Sequence, residues 1–332
     1  MSKDTQYTYN KFGSRSSTRV PKQSHQILKP CSNNYSSNYF HTGNSPVEYI
    51  RNINNAVEGY PKLNKLHSLK RKQIEDHAVL PYGSRVATDK IIPTLSTWIN
   101  NHNIKFDVIM IGALVENQFI LPILSNLPLY KLCSKPGFLF VWSTTQKIHQ
   151  LTKLLNNDNF NKKFRRSEEL IFLPINKESP YYPSDGDNSL FENQQWHCWM
   201  CITGTVKRST DQNLIHCNVD TDLQIETPKS CSSYNAVPES MYKVAENFSN
   251  SNRRLHIVPS TVGYNKVIKL RKGWVIMGPD VLLNNFDPVK YQEELYDKSL
   301  VSYKPSYNNL SQPQFLVPQT KEIEDLRPKS PV

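Results

Sequence analysis

Phe106-Asp107-Val108-Ile109-Met110-Ile111-Gly112 is the stretch on which the fold turns. Apart from its aspartate it is unbroken apolar sequence, rich in β-branched residues, and it stops at a glycine. Strands of a parallel sheet are covered by helices on both faces, so they read as short continuous apolar runs. Gly137-Phe138-Leu139-Phe140-Val141-Trp142 repeats that signal downstream, and Ile148, Leu151, Leu154 and Leu155 then fall on one face of a helix. Further strands are expected over Leu170–Ile175, Gln195–Ile202 (ending at Gly204), Leu255–Val258 and Trp274–Met277. Between them Pro238 opens a helix whose apolar stripe is Met241, Val244, Ala245 and Phe248. Strands alternating with helices predict an α/β domain with a mostly parallel sheet and right-handed crossovers.

Upstream, Ile92 to Ile99 reads as a short helix. Residues 59–80 carry Leu63, Leu66 and Leu69 beside a Lys70-Arg71-Lys72 run, which predicts a helix with a solvated basic face. Residues 1–45 are rich in Ser, Asn, Gln, Lys and Tyr without a sustained period, so they are expected to form a mostly disordered tail. The folded domain, with a helical N-terminal extension, is placed at 46–302. Residues 303–332, rich in Pro, Gln and Ser, form a C-terminal tail that packs on the domain or on a partner.

Hydrophobic residues make up 38% of the 332, below the globular norm of about 45–50%, as tails at both ends require. Forty Lys and Arg against 29 acidic residues give a formal net charge of +11, which points to a polyanionic partner. The first residues have no apolar stretch of the kind a signal peptide needs, and no run approaches the ~20 apolar residues that span a bilayer. The cysteines at 31, 133, 198, 201, 217 and 231 are scattered, unlike a secreted disulfide framework, so a reducing compartment is expected.

Cys198-x-x-Cys201, with His197, His216, Cys217 and Cys231 nearby in the chain, invites a zinc reading. Residues three apart on a strand face opposite ways, and no Gly or Pro between the two cysteines makes the turn a zinc knuckle needs. Buried apolar thiols are the expectation, with no metal. Nothing resembles the Gly-rich cofactor loop G-x-G-x-x-G, and Gly112 stands alone. The basic clusters carry more weight: Lys162-Lys163-Phe164-Arg165-Arg166, Lys207-Arg208, Arg253-Arg254, and Lys266, Lys269, Arg271 and Lys272. Loops at the carboxyl ends of strands gather on one edge of an α/β sheet, so basic loops there would make a phosphate-tracking groove.

Trp196-His197-Cys198-Trp199-Met200-Cys201-Ile202-Thr203-Gly204-Thr205-Val206-Lys207-Arg208-Ser209-Thr210-Asp211, continuing through Leu214-Ile215-His216 to Asn218-Val219-Asp220-Thr221-Asp222-Leu223, makes the chain recognisable. With the tail Glu322-Ile323-Glu324-Asp325-Leu326-Arg327-Pro328-Lys329-Ser330-Pro331 it resembles the mRNA N6-adenosine methyltransferase family over roughly residues 33–331. The likeness is to the non-catalytic branch typified by methyltransferase-like protein fourteen, and within it to the karyogamy-regulator subgroup of budding yeasts. The resemblance implies a Rossmann-like class I methyltransferase fold with a degenerate active site. Active relatives carry an acidic residue, two prolines and an aromatic after the strand equivalent to Phe106–Ile111, to hold and stack on adenine. Here those positions read Gly112-Ala113-Leu114-Val115, and the chain has no Pro-Pro dipeptide. Where catalytic relatives grip the cofactor ribose with Asn-Gln, this chain has Pro279-Asp280.

The resemblance therefore implies a pseudo-methyltransferase with no catalytic residues and no cofactor of its own, S-adenosylmethionine being bound by the partner subunit. Its implied partners are a catalytic mRNA adenosine methyltransferase subunit, further subunits of the writer complex, RNA, and a mating-response transcription factor, with no membrane. Its implied setting is mating, karyogamy and meiosis, in the nucleus with the cytoplasm as a second compartment. Lys207, Arg208, Arg253, Arg254 and Arg271 are the residues expected to form the RNA and partner groove. A second reading is a transcriptional co-regulator brought to mating-gene promoters by a DNA-binding activator.

Overall fold

The computed structural model describes residues 60–115, 120–157, 160, 162–174, 195–204, 213–216, 222–226, 237–262, 267–303 and 313–328. All of them belong to one compact unit. The expected N-terminal tail, Lys207 and Arg208 lie outside the described residues.

The stretch 106–112 is strand β2 (Phe106–Ile111), buried at every position. It sits in an eight-stranded sheet with β1 (Tyr82–Arg85), β3 (Cys133–Thr144), β4 (Phe164–Leu173), β5 (Trp196–Thr203), β6 (Leu223–Ile225), β7 (Arg254–Ile257) and β8 (Val275–Gly278), in the order β1-β8-β7-β2-β3-β5-β4-β6. Every pairing is parallel except β3–β5 and β5–β4. The fold is thus the expected α/β arrangement with a mostly parallel sheet, one strand being reversed. Because β3 and β4 are both antiparallel to β5, which lies between them, β4 again runs in the direction of β3.

Alternation along the strands sends side chains to two apolar layers. Ile109 and Ile111 of β2 face helices α2 (Ile91–His102), α5 (Thr145–Asn156) and α7 (Pro288–Lys298), through Leu95, Leu151, Leu155, Tyr291 and Leu295. Val108 and Met110 face α6 (Glu239–Phe248), through Met241, Tyr242, Val244 and Ala245. Each fully buried side chain of this size is worth about 1.5–3 kcal/mol. Local signals set the helix ends: Asn103 closes α2 in the left-handed region (φ 48°), and the Asp287 carboxylate caps α7, whose first residue is Pro288. Two short helices, α3 (Ile120–Asn126) and α4 (Leu129–Leu132), lead into β3.

Two expectations need correcting. The basic helix, α1 (Pro61–His77), forms with Leu63 and Leu66 buried, but Lys70 is only 2% exposed and its ammonium donates to the Asn247 carbonyl. The cluster 162–166 does not end as a loop: Phe164, Arg165 and Arg166 begin β4, six residues ahead of its expected start at Leu170. The C-terminal stretch also has regular structure. Strands β9 (Leu300–Tyr303) and β10 (Pro313–Leu316) pair antiparallel, and helix α8 (Lys321–Leu326) buries Ile323 against Leu63 and Leu66 of α1. Main-chain bonds from Asn252 to Phe315 and from Val317 to Asn250 fasten β10 to the segment before β7.

Candidate functional site

In an open α/β sheet the ligand crevice lies at the carboxyl ends of the strands. Here β2 ends at Gly112, whose φ of +89° is left-handed and whose missing Cβ leaves room for the Trp142 carbonyl, which a Cβ would meet at 2.8 Å. Ala113 and Leu114 then turn inward, 5% and 1% exposed, into the layer of Phe140, Trp142 and Val258. The Gly112 carbonyl accepts from His256 Nε2 at 2.7 Å, which leaves Nδ1 to accept the Tyr242 hydroxyl at 2.8 Å. Burial lowers the His256 pKa to about 4, so the ring is neutral in this role. Tyr242 packs edge-on against Trp274, whose indole N–H donates to Glu246, and Glu246 takes two further bonds from Arg271. A polar chain from Arg271 to Gly112 thus braces the turn, and residues 112–115 offer the crevice only apolar side chains. Asp280 is likewise engaged: its carboxylate accepts from the Val262 N–H at 2.7 Å, closing the connection between β7 and β8, with half-buried Pro279 before it.

The opposite edge is polar. Asp107, 1% exposed, binds Arg253 through both carboxylate oxygens (2.6 and 3.0 Å) and accepts from Ser251 Oγ at 2.6 Å. Burial opposes the Arg253 charge, and the Asp107 carboxylate outweighs it, holding the guanidinium above its ordinary pKa. Arg254, its neighbour, is fully buried; Nη2 reaches the Ser249 carbonyl at 3.5 Å, and among the described residues it meets no carboxylate in a hydrogen bond and Nε and Nη1 have no hydrogen-bond partner. Lys70 and Arg254 therefore direct two cations at carbonyls of the carboxyl end of α6, Asn247 in its last turn and Ser249 just past it, where the helix dipole is negative. Burial lowers the Arg254 pKa to about 10.

These contacts correct the expected groove. Arg253 and Arg254 are interior struts and Arg271 is clasped by Glu246 and Glu239, so the structure does not bring the three together on an open surface. The basic segments also lie at the other edge of the sheet from the one expected. Arg253 precedes β7, Arg271 and Lys272 precede β8, and Lys162 and Lys163 precede β4. All of these are amino ends of strands running the same way, whereas a crevice groove belongs at the carboxyl ends. Cys198 and Cys201 fall in different core layers, and burial pushes both thiols up, Cys201 to about 12. Asp107, Tyr242, Glu246 and His256 went unnoticed in the sequence. The available signal was a polar residue inside a buried run, as in Phe106-Asp107-Val108 and Leu255-His256-Ile257, which demands a partner.

Residues 99–280 match the family model MT-A70. The chain belongs to the MT-A70 family. It is 52% identical over 326 residues to karyogamy protein KAR4 of Saccharomyces cerevisiae, across 96% of this chain and 92% of that one. It is 29% identical over 322 residues to the N(6)-adenosine-methyltransferase non-catalytic subunit METTL14 of Drosophila melanogaster, across 90% of this chain and 72% of that one. A solved structure of the M1.HpyAVI–SAM complex aligns with a TM-score of 0.39 at 10% identity, covering 66% of this chain and 99% of that one. Strand order and the MT-A70 match together identify the sheet as the methyltransferase-like α/β fold expected from the sequence.

Proposed function

We propose that this MT-A70 chain is the catalytically inactive subunit of an mRNA N6-adenosine methyltransferase complex. It pairs with a catalytic homologue that binds S-adenosylmethionine, stabilises it, and binds RNA, in nuclear programmes of mating, nuclear fusion and meiosis. The observation that carries the reading is the turn after β2. Gly112-Ala113-Leu114-Val115 stands where catalytic relatives carry an acid, two prolines and an aromatic, and Ala113 and Leu114 are buried there. No side chain among those four accepts a hydrogen bond from an adenine amino group or stacks on a base. Pro279 and Asp280 fit a ribose grip no better, since proline has no donor and the aspartate is bound to the Val262 N–H. Support for the subunit role comes from the relative named a non-catalytic subunit, and for the mating role from the relative named a karyogamy protein.

The test is methyl transfer to RNA and S-adenosylmethionine calorimetry, on the purified chain alone and on its complex with the catalytic homologue that co-purifies from mating and meiotic cells. The expected result is transfer by the complex only, with no saturable cofactor binding by the isolated chain. Transfer by the isolated chain would overturn the reading.

A further inference from the structure

Helix α7 turns Tyr291 and Leu295 into the core and leaves its outer face uncovered. Val289 and Tyr296, two helical turns apart on that face, are both more than half exposed. Beside this stripe Glu293 and Asp297, one turn apart, are exposed as well. Among the described residues neither carboxylate is in an ion pair, whereas Glu294 is taken by Lys298 at 2.7 Å and by the Tyr82 hydroxyl. The exposed cation of the helix, Lys290, stands in its first turn, at the end remote from β9. Like charges one turn apart repel. In a chain of net charge +11, an acidic row beside bare apolar side chains is an exception that asks for a partner.

The stripe continues onto β9. Tyr296 packs edge-on against Phe315 of β10, ring centres 4.9 Å apart, and Phe315 stands opposite Val301 of β9. The Phe315 carbonyl accepts from the Asn252 N–H, and the Val317 N–H donates to the Asn250 carbonyl. Phe315 therefore turns its main-chain groups toward the 250–252 segment and away from β9. In an antiparallel ladder the residue opposite such a position also points outward, and so does the next but one. Val301, and Tyr303 opposite Pro313, thus aim their N–H and C=O groups at the outer edge of β9, where no strand pairs among the described residues. Leu300-Val301-Ser302-Tyr303 holds neither a charge nor a proline, the devices that ordinarily blunt an open edge. Its end residues, Leu300 and Tyr303, are 57% and 63% exposed.

We propose that the open edge of β9 takes up, as a third strand, an extended segment of a partner protein other than the catalytic homologue, in which basic residues alternate with apolar ones. Strand addition satisfies the outward main-chain groups of Val301 and Tyr303. Val301 and Phe315 belong to the core layer of Tyr291 and Leu295, so the side of β9 that carries Val301 and Tyr303 faces α7. Side chains of the added strand on that side are the basic ones. Their aliphatic stems lie along the Tyr296 ring and their charged heads reach Asp297 and Glu293. Side chains on the other side meet Leu300 and are apolar. An acidic strand or a phosphate backbone would be repelled by the same two carboxylates.

The probe is a short fluorescein-labelled peptide of alternating Lys and Val, titrated by anisotropy against the full chain and against its complex with the catalytic homologue. Saturable binding to both is expected. Tyr303→Pro removes an outward N–H and leaves the β9–β10 ladder intact. It should weaken binding by about tenfold, because a peptide carbonyl loses its donor. Tyr303→Ala keeps that N–H and should weaken binding less. Glu293→Lys combined with Asp297→Lys should weaken it about fivefold at low salt, and the difference should fade at high salt. These variants change exposed residues and should keep the wild-type circular dichroism. Absence of saturable binding to the wild-type chain would overturn the proposal. Equal weakening by Tyr303→Pro and Tyr303→Ala would overturn strand addition, and equal binding of a Glu–Val peptide would overturn the basic partner. Loss of binding in the complex would mean that the catalytic homologue covers the edge, and would overturn a further partner. A dimer seen by light scattering that Tyr303→Pro dissolves would make the occupant a second copy of this chain and overturn the assignment.

Discussion

Strands β2, β3, β7 and β8 run between two edges that differ in kind. At their carboxyl ends, Ala113 and Leu114 are packed into the core, and His256, Tyr242 and Asp280 nearby are held in hydrogen bonds within the protein. At their amino ends, a buried ion pair, Asp107–Arg253, anchors the strands, and cations collect at the surface beside Tyr130. The carboxyl edge is where this architecture ordinarily works, since connections to the helices converge there. Filling that edge with apolar side chains leaves the sheet intact as a rigid platform, because the strands depend on their two apolar layers and not on a ligand. The frame of an α/β domain and the chemistry at its crevice are therefore separable, and charge can gather at the other edge.

The comparison can be broken most directly at Asp107. Asp107→Ala strands the Arg253 charge in the interior and should cost about 3–5 kcal/mol in urea unfolding; an unchanged midpoint would mean the amino edge is not anchored by this pair. Next in size is an acid effect at the histidines. Burial holds both His256 and His216 down at about 4 from an ordinary 6.5. The unfolded chain takes up these protons near pH 6.5 and the folded chain only near 4. Stability is therefore full above about pH 6.5 and falls as pH drops toward 4, by up to about 3 kcal/mol per histidine. Denaturant midpoints across that window should show the slope, and His256→Gln should remove about half of it.

Smaller still is Gly112→Ala, which forces a Cβ into the left-handed region and against the Trp142 carbonyl. A loss of about 1–3 kcal/mol in thermal unfolding is expected, and a neutral result would show that the turn after β2 is not tightly closed. The smallest effect should come from Arg254→Met. With Nε and Nη1 unpartnered, replacing this buried cation by an apolar chain of similar length should shift stability by less than about 1 kcal/mol. Measured beside Arg253→Met, it separates an arginine that needs its carboxylate from one that does not have one.

The fold was largely legible because burial writes itself into composition. Phe106–Ile111 and Gly137–Trp142 are apolar for the same reason they are central: helices cover both faces of the strands. The reversal of β5 was not legible, since a buried antiparallel strand between two covered faces has the same apolar look as a parallel one. The degenerate turn at 112–115 was readable as residue types against a known pattern, although its inward packing was not. The place of the arginines was not legible: Arg253-Arg254 looks the same in a sequence whether the chain carries it to solvent or into the interior.

The strands, the amphipathic helices, the net positive charge and the loss of acidic, proline and aromatic groups after β2 are all written in the amino-acid sequence, because each depends on residue type and local period. Which cations are struts and which are surface follows from the folded packing. Asp107 meets Arg253 across 146 positions of chain, and Lys163 meets Tyr130 through the register of three strands. Electrostatic roles depend on distance and burial, which the chain acquires only when the sheet assembles.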